Sequence, residues 1–282
     1  LPEENIFLKD TPYYYRGELH FIHWTTIEAL LSILNYREIR LYNLYSPNDI
    51  KEFNFAAKVL ELPAQEIEWS KRHYFTFSFC QKCELTNDHL WKKHGRDYKG
   101  VAIYFSIEND PAEWKKYMIS KVYYDVPQKF KEYRNEVKKF EKYHGITTEL
   151  DLGKFIGFHK ENSFDKEMEI RLASYVPYKT PGEYLKFSKP DFRIKQNTIT
   201  NYITLPLWVD NDCERIKMLE KSFIYDFKTN PKIKIQNIYF GENCGIPNSE
   251  FSKYRDTLFD SIRLNLGYEI DLKLNLFTQN SG

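Results

Sequence analysis

The chain has 282 residues, 42% hydrophobic and 17% aromatic, a composition that buries a sizeable core and argues against disorder. Lys and Arg number 41 against 40 Asp and Glu, so a formal charge of +1 sets up no global field toward nucleic acid or membrane. The 22 tyrosines and 21 phenylalanines imply a ring-rich core with many hydroxyls needing partners.

Four cysteines, Cys80, Cys83, Cys213 and Cys244, are sparse for a disulfide scaffold and suit a reducing compartment. Cys80 and Cys83 make a CxxC, but His89, His94, Cys213 and Cys244 do not fall at zinc-ribbon or zinc-finger spacing, so no metal is expected. No apolar run approaches the roughly 20 residues of a membrane-spanning helix. The chain opens on Leu1 rather than Met, as a processed fragment would, and carries no basic-then-apolar leader pattern; a cytoplasmic protein with no membrane partner is expected.

In chain order, residues 1–18 are irregular and 19–24 read as a strand. Thr25 or Thr26 can cap a helix over 26–35, where Ile27, Leu30, Leu31 and Leu34 repeat at helical spacing. A short strand over 38–42 ends at the loop Ser46–Asp49, which leads into a helix from about Ile50 to Leu60. Residues 74–80 alternate large apolar with small polar, as a half-buried strand does. A short helix at 88–94, a loop at 95–100 and strands at 101–106 and 118–124 follow. The stretch 128–144 is amphipathic and charged, with Phe130, Tyr133, Val137 and Phe140 on one face. A solvated helix accounts for it; a basic face for nucleic acid is the sharper alternative. A second helix over 150–160 is expected to pair with it. Residues 167–175 alternate as a strand that puts Met168, Ile170 and Leu172 in the core. Pro177, Pro181, Gly182 and Pro190 mark a loop-rich stretch at 176–200 with one hairpin, followed by strands at 201–209 and 234–240. A helix at 249–266 and an edge strand through Ile270, Leu272, Leu274 and Leu276 close the chain. The order of elements predicts an α+β fold: one mixed α/β domain over 1–282, its sheet core at 19–126 and 164–276, with a helical insertion near 127–160 that extends to 163.

Three constellations could carry chemistry. His23-Trp24-Thr25 ends the first strand beside the start of a capped helix, a polar corner suited to a ribose or phosphate, although a strand-end histidine is more often structural. Thr76 and Ser78 fall on one strand face and could floor a cleft, or merely line a half-exposed sheet. Glu167, Glu169 and Arg171 share a strand face, the carboxylates about 7 Å apart. There Arg171 would keep Glu169 ionised through a bidentate bond. An exposed ladder of alternating charge is the plainer reading of the same spacing.

Asn48-Asp49 with Glu52, Phe77-Ser78, Leu90-Trp91 with Gly100–Phe105, and Lys160 with Phe164 ahead of Glu167-x-Glu169-x-Arg171 resemble, in this order, the bacterial domain-of-unknown-function family numbered 2971. The resemblance runs from about His20 to Tyr175, with an echo at Ile238–Gly241, and departs where Phe164 stands for a usual tryptophan. His23-x-Thr25 with Leu30 and Ile33-Leu34 is similar, more distantly, to the opening strand and helix of ADP-ribosyltransferases.

That second resemblance implies a split-sheet fold and NAD as substrate. It implies that His23, Thr25, Thr76 and Ser78 contact the cofactor, that Tyr42 or Tyr45 stacks on nicotinamide, and that Glu169 and Glu167 act on the ribose and the acceptor. Asn48, Asp49, Glu52, Trp91, Lys160 and Arg171 would support the site. A bacterial toxin or phage-defence effector is implied, modifying a protein or nucleic acid and held by an antitoxin or chaperone partner. Two rival readings are open: a non-catalytic sensor or binding module in which Asp49, Glu52, Glu169 and Arg171 form a buried salt-bridge lattice, and a nuclease using Asp49, Glu52 and Glu169 around magnesium.

Overall fold

The computed structural model describes residues 11–44, 50–62, 64–124, 128–145, 152–175, 191–195, 198–209, 217–218, 227–246, 249–266 and 270–274. Tyr45, Asn48, Asp49, Cys213, Leu276 and the loop at 176–190 lie outside them. In chain order the elements are β1 (His20–Thr25), α1 (Ile27–Tyr36), β2 (Glu38–Asn43), α2 (Ile50–Val59), α3 (Ala64–His73), β3 (Tyr74–Gln81), α4 (Asp88–Lys93), β4 (Val101–Ile107), β5 (Tyr117–Lys121), α5 (Gln128–His144), β6 (Glu169–Tyr175), β7 (Asp191–Lys195), β8 (Thr198–Pro206), β9 (Ile233–Phe240), α6 (Phe251–Leu266) and β10 (Asp271–Leu274). This is a mixed α/β chain whose strands pair mostly antiparallel, with β9 and β10 parallel.

The chain divides into two compact units, each assembled from separated stretches. The first comprises Leu1–Gly17, Leu41–Phe77 and Asp110–Ile203; the second comprises Glu18–Arg40, Ser78–Asn109 and Thr204–Gly282.

In the second unit, β4 lies between β1 and β9, and β10 adds to β9 in parallel. β4 is buried along its whole length, as an unbroken apolar strand flanked on both sides should be. Thr26, not Thr25, caps α1: its hydroxyl accepts from the Ala29 amide at 3.1 Å. Leu30 and Leu34 form the buried stripe of that helix. The turn between α4 and β4 carries three successive non-glycine residues at positive φ, Arg96 at 50°, Asp97 at 55° and Tyr98 at 61°. Such a run persists only when the surroundings over-determine it. Here the Tyr98 ring stacks on Trp91, its carbonyl accepts from the Asn243 amide at 3.0 Å, and its hydroxyl bonds Asp88 at 2.5 Å.

In the first unit, β5 and β6 run antiparallel, with Ser120 opposite Arg171 and Lys121 opposite Ile170. A core of Tyr13, Phe53, Leu60, Tyr74, Phe155, Ile156 and Phe158 packs around them. The stretch expected as a second long helix is instead a 3-10 turn over Leu152–Phe158 packed on α2, α3 and β6. Gly153 and Gly157 weaken an α-helix there. Gly157 also has a steric role: a Cβ on it would collide with the Tyr74 ring. The strand expected at 201–209 is β8, which begins three residues earlier and pairs antiparallel with β7; most of the stretch expected to hold a hairpin, 176–200, lies outside the described residues. Helix α3 has no counterpart in the sequence reading.

Gly157→Ala is expected to destabilise the fold by about 1–3 kcal/mol, because Tyr74 is fully buried and cannot yield. A lowered urea midpoint with an unchanged m-value would bear this out.

Candidate functional site

Five ionisable side chains of the first unit converge below the protein surface. Glu52 comes from the first turn of α2, Lys160 from the segment after the Leu152–Phe158 turn, and Arg171 from β6. Glu167 ends a second 3-10 turn, Asn162–Glu167, and Glu169 opens β6. The Lys160 ammonium reaches all three carboxylates, at 2.6 Å to Glu169, 2.8 Å to Glu167 and 3.2 Å to Glu52. Arg171 closes the network from the other side. Its Nε donates to Glu169 Oε1 at 2.6 Å and its Nη2 to Glu169 Oε2 at 3.3 Å, a bidentate pair. Nη2 also donates to Glu52 at 2.8 Å, and Nη1 to the Gly157 carbonyl at 2.8 Å. None of the five side chains is more than 12% exposed, and Glu52 is the most exposed of them.

The strip expected as one strand is built differently. Met168 sits at φ 46° and closes the 3-10 turn, its amide donating to the Asp165 carbonyl. It is 52% exposed, so it does not join the core as expected. Glu167 and Glu169 both reach Lys160, as two residues on one strand face would, although the left-handed Met168 between them ends a turn and does not continue a strand. An unbranched side chain tolerates that conformation at modest cost. From Glu169 onward alternation holds: Glu169 and Arg171 share a face. The strand is buried on both faces, however, since Ile170, Arg171, Leu172 and Ala173 are all shielded.

Three carboxylates against two cations leave one negative charge in excess. Burial alone would raise the Glu169 carboxyl, but Arg171 and Lys160 outweigh it and hold it down at about 2. Burial likewise opposes the charges of Arg171 and Lys160, and the facing glutamates reverse that effect and raise both. The Glu169 amide donates to the Tyr124 hydroxyl at 3.2 Å, and burial pushes that phenol up to about 12. The Lys160 ammonium occupies the position at which a divalent cation would bridge the same carboxylates, and no metal-binding group occurs among the described residues. Cys80 is buried and Cys244 half-buried.

The other expected site residues fall elsewhere. Tyr42 and Thr76 are in the first unit as cross-strand partners; Thr76 is 9% exposed, so it offers no open floor, and Tyr42 packs against Tyr202. His23, Thr25 and Ser78 belong to the second unit, where Ser78 is exposed. The His23 Nδ1–H donates to the Ser78 carbonyl at 2.8 Å, which leaves Nε2 as the acceptor nitrogen. Packing of the ring away from water, with the nearby His94 charge, lowers His23 to about 4 and keeps it neutral. Trp91 is a core residue whose Nε1 donates to the Leu85 carbonyl.

Residue spacing did not reveal the partners that complete the cluster. The Gly157 carbonyl and the Tyr124 hydroxyl have no motif. His159, fully buried beside Lys160, shares a 2.8 Å hydrogen bond with Tyr13, and burial lowers it to about 4. Comparisons of the sequence with protein-family models and curated proteins, and of the fold with solved structures, gave no match.

Lys160→Met leaves three buried carboxylates facing one cation and is expected to cost about 3–5 kcal/mol, read from denaturant unfolding. Acid stability follows from three shifts. His159 and His23 are both depressed from 6.5 to about 4, so the unfolded chain binds the extra protons and stability falls as pH drops from 6.5 toward 4. Glu169, depressed from 4.5 to about 2, contributes stability above 4.5 that is lost as pH falls toward 2. His159→Gln should shrink the first window, leaving the share of His23, and keep the second in place in a pH series of melting temperatures.

Proposed function

We propose that this chain is an NAD-consuming enzyme of ADP-ribosyltransferase type, with the split-sheet fold that the sequence resemblance implies. The supporting observation is the excess negative charge of the Glu52–Lys160–Glu167–Glu169–Arg171 cluster, in which Glu169 stays ionised at any physiological pH. Breaking the nicotinamide–ribose bond sends its electron pair out with nicotinamide and leaves a cationic ribosyl group. A net-negative cluster held in a low-dielectric surrounding stabilises the positive charge that builds on the ribosyl carbon as that bond breaks. The acceptor oxygen or nitrogen then bonds to the ribosyl carbon and releases its proton. Glu169 is assigned to the ribose and Glu167 to the acceptor, a protein or nucleic acid. A toxin or phage-defence effector acting in the cytoplasm, restrained by an antitoxin partner, belongs to the same proposal; no helix among the described residues is long and apolar enough to cross a membrane.

The burial of the cluster favours a second reading. Every carboxylate there is paired with Lys160 or Arg171, the arrangement of a lattice that fixes the fold of a non-catalytic sensor or binding module. A magnesium nuclease has the weakest footing, because Lys160 stands where the metal would.

Labelled NAD incubated with the protein and cell extract is expected to release nicotinamide and label a macromolecule; absence of both would count against the enzyme. Glu169→Gln separates the two readings. Lost turnover at an unchanged melting temperature supports catalysis, whereas a fall equivalent to about 3–5 kcal/mol supports the lattice.

A further inference from the structure

A cavity of about 340 Å³ lies in the first unit between the segment around Tyr14–Gly17 and the end of β5. Arg16 and Lys121 bring two cations to its lining, and no carboxylate is among the described lining residues. The rings of Tyr14, Tyr15 and Tyr123 supply flat aromatic surface. Ser120 also lines it; this residue is 1% exposed, and its Oγ has no hydrogen-bond partner among the described residues. A buried hydroxyl without a partner is costly unless something else satisfies it.

The cavity is held open by its own hydrogen bonds. The Tyr123 hydroxyl donates to the Pro12 carbonyl and ties the two walls together. The Tyr123 amide donates to the Phe158 carbonyl at 2.8 Å, and its carbonyl accepts from the Lys160 amide at 3.0 Å. The Tyr14 hydroxyl leans on Asp110, and the Arg16 guanidinium lies 6.0 Å from the Tyr14 ring centre. One wall is therefore continuous with the backbone that carries Lys160, so the space exists before any ligand arrives.

Two cations beside three rings suit a ligand that is flat at one end and dianionic at the other, since guanidinium matches phosphate and any base stacks on tyrosine. The volume is near the lower end of the roughly 300–1,000 Å³ of ligand pockets. It takes one ring system with one charged group and is too small for a dinucleotide. We infer that this cavity binds a nucleoside monophosphate, its phosphate on Arg16 and Lys121 and its base against the tyrosines. The inference does not depend on the NAD reading.

Titration calorimetry of the full chain tests it with AMP, adenosine, inorganic phosphate and phenyl phosphate. AMP is expected to bind with a Kd below about 1 mM, the other three at least about tenfold more weakly. The Arg16→Glu, Lys121→Glu variant should lose at least about tenfold in AMP affinity at an unchanged melting temperature, because both side chains are exposed. No heat with AMP up to about 10 mM would overturn the inference. Equal binding of phosphate, phenyl phosphate or adenosine, or undiminished AMP binding by the charge-reversed variant, would overturn it too.

Discussion

The Lys160 ammonium touches three carboxylates that arrive from α2, from a 3-10 turn and from β6. An isolated charge at that depth would be prohibitively costly, so the elements carrying its partners must all be in place at once. Arg171 makes the same demand from β6, and its bond to the Gly157 carbonyl adds the Leu152–Phe158 turn to the set. The arrangement of the first unit follows from satisfying two buried cations. Hydrophobic burial of Phe53, Tyr74, Phe155 and Phe158 supplies the driving force but little of the geometric specificity.

That constraint has two functional consequences. A cluster with one carboxylate more than its cations keeps a fixed negative potential inside the unit, of the sign that a developing ribosyl cation requires. The same pairing ties each carboxylate to a neighbour, as a structural lattice does. Electrostatic support of a reaction and mechanical support of a fold use the same bonds here, so the chemistry of the residues does not choose between them. The choice rests on whether removing one charge is felt in turnover or in stability.

The second unit shows a different economy. Its left-handed run Arg96–Tyr98 is held by a stacked ring, a short hydroxyl–carboxylate bond and a carbonyl that accepts from Asn243. The strain there is over-determined by these contacts. His23 takes a single tautomer in that unit because one backbone carbonyl accepts its proton.

Sequence periodicity alone determined the strands β1, β3, β4, β6 and β9 and the helices α1, α2, α5 and α6 to within a few residues, because alternation and helical spacing are local properties. A threonine cap was legible for the same reason, and the structure chose Thr26 over Thr25. The Glu169–Arg171 pair was legible as well, since two residues on one strand must share a face. The left-handed Met168 was not legible: nothing local to Glu167–Arg171 distinguishes a continuous strand from a turn followed by a strand. Helix α3 was missed because it is short and its apolar positions are few. Gly157 and Glu52 stand 14 and 119 residues from Arg171, and no spacing rule spans such distances. Burial decided the rest, because whether a charged strip faces water or a counter-charge depends on which elements pack over it, and that is a property of the tertiary structure.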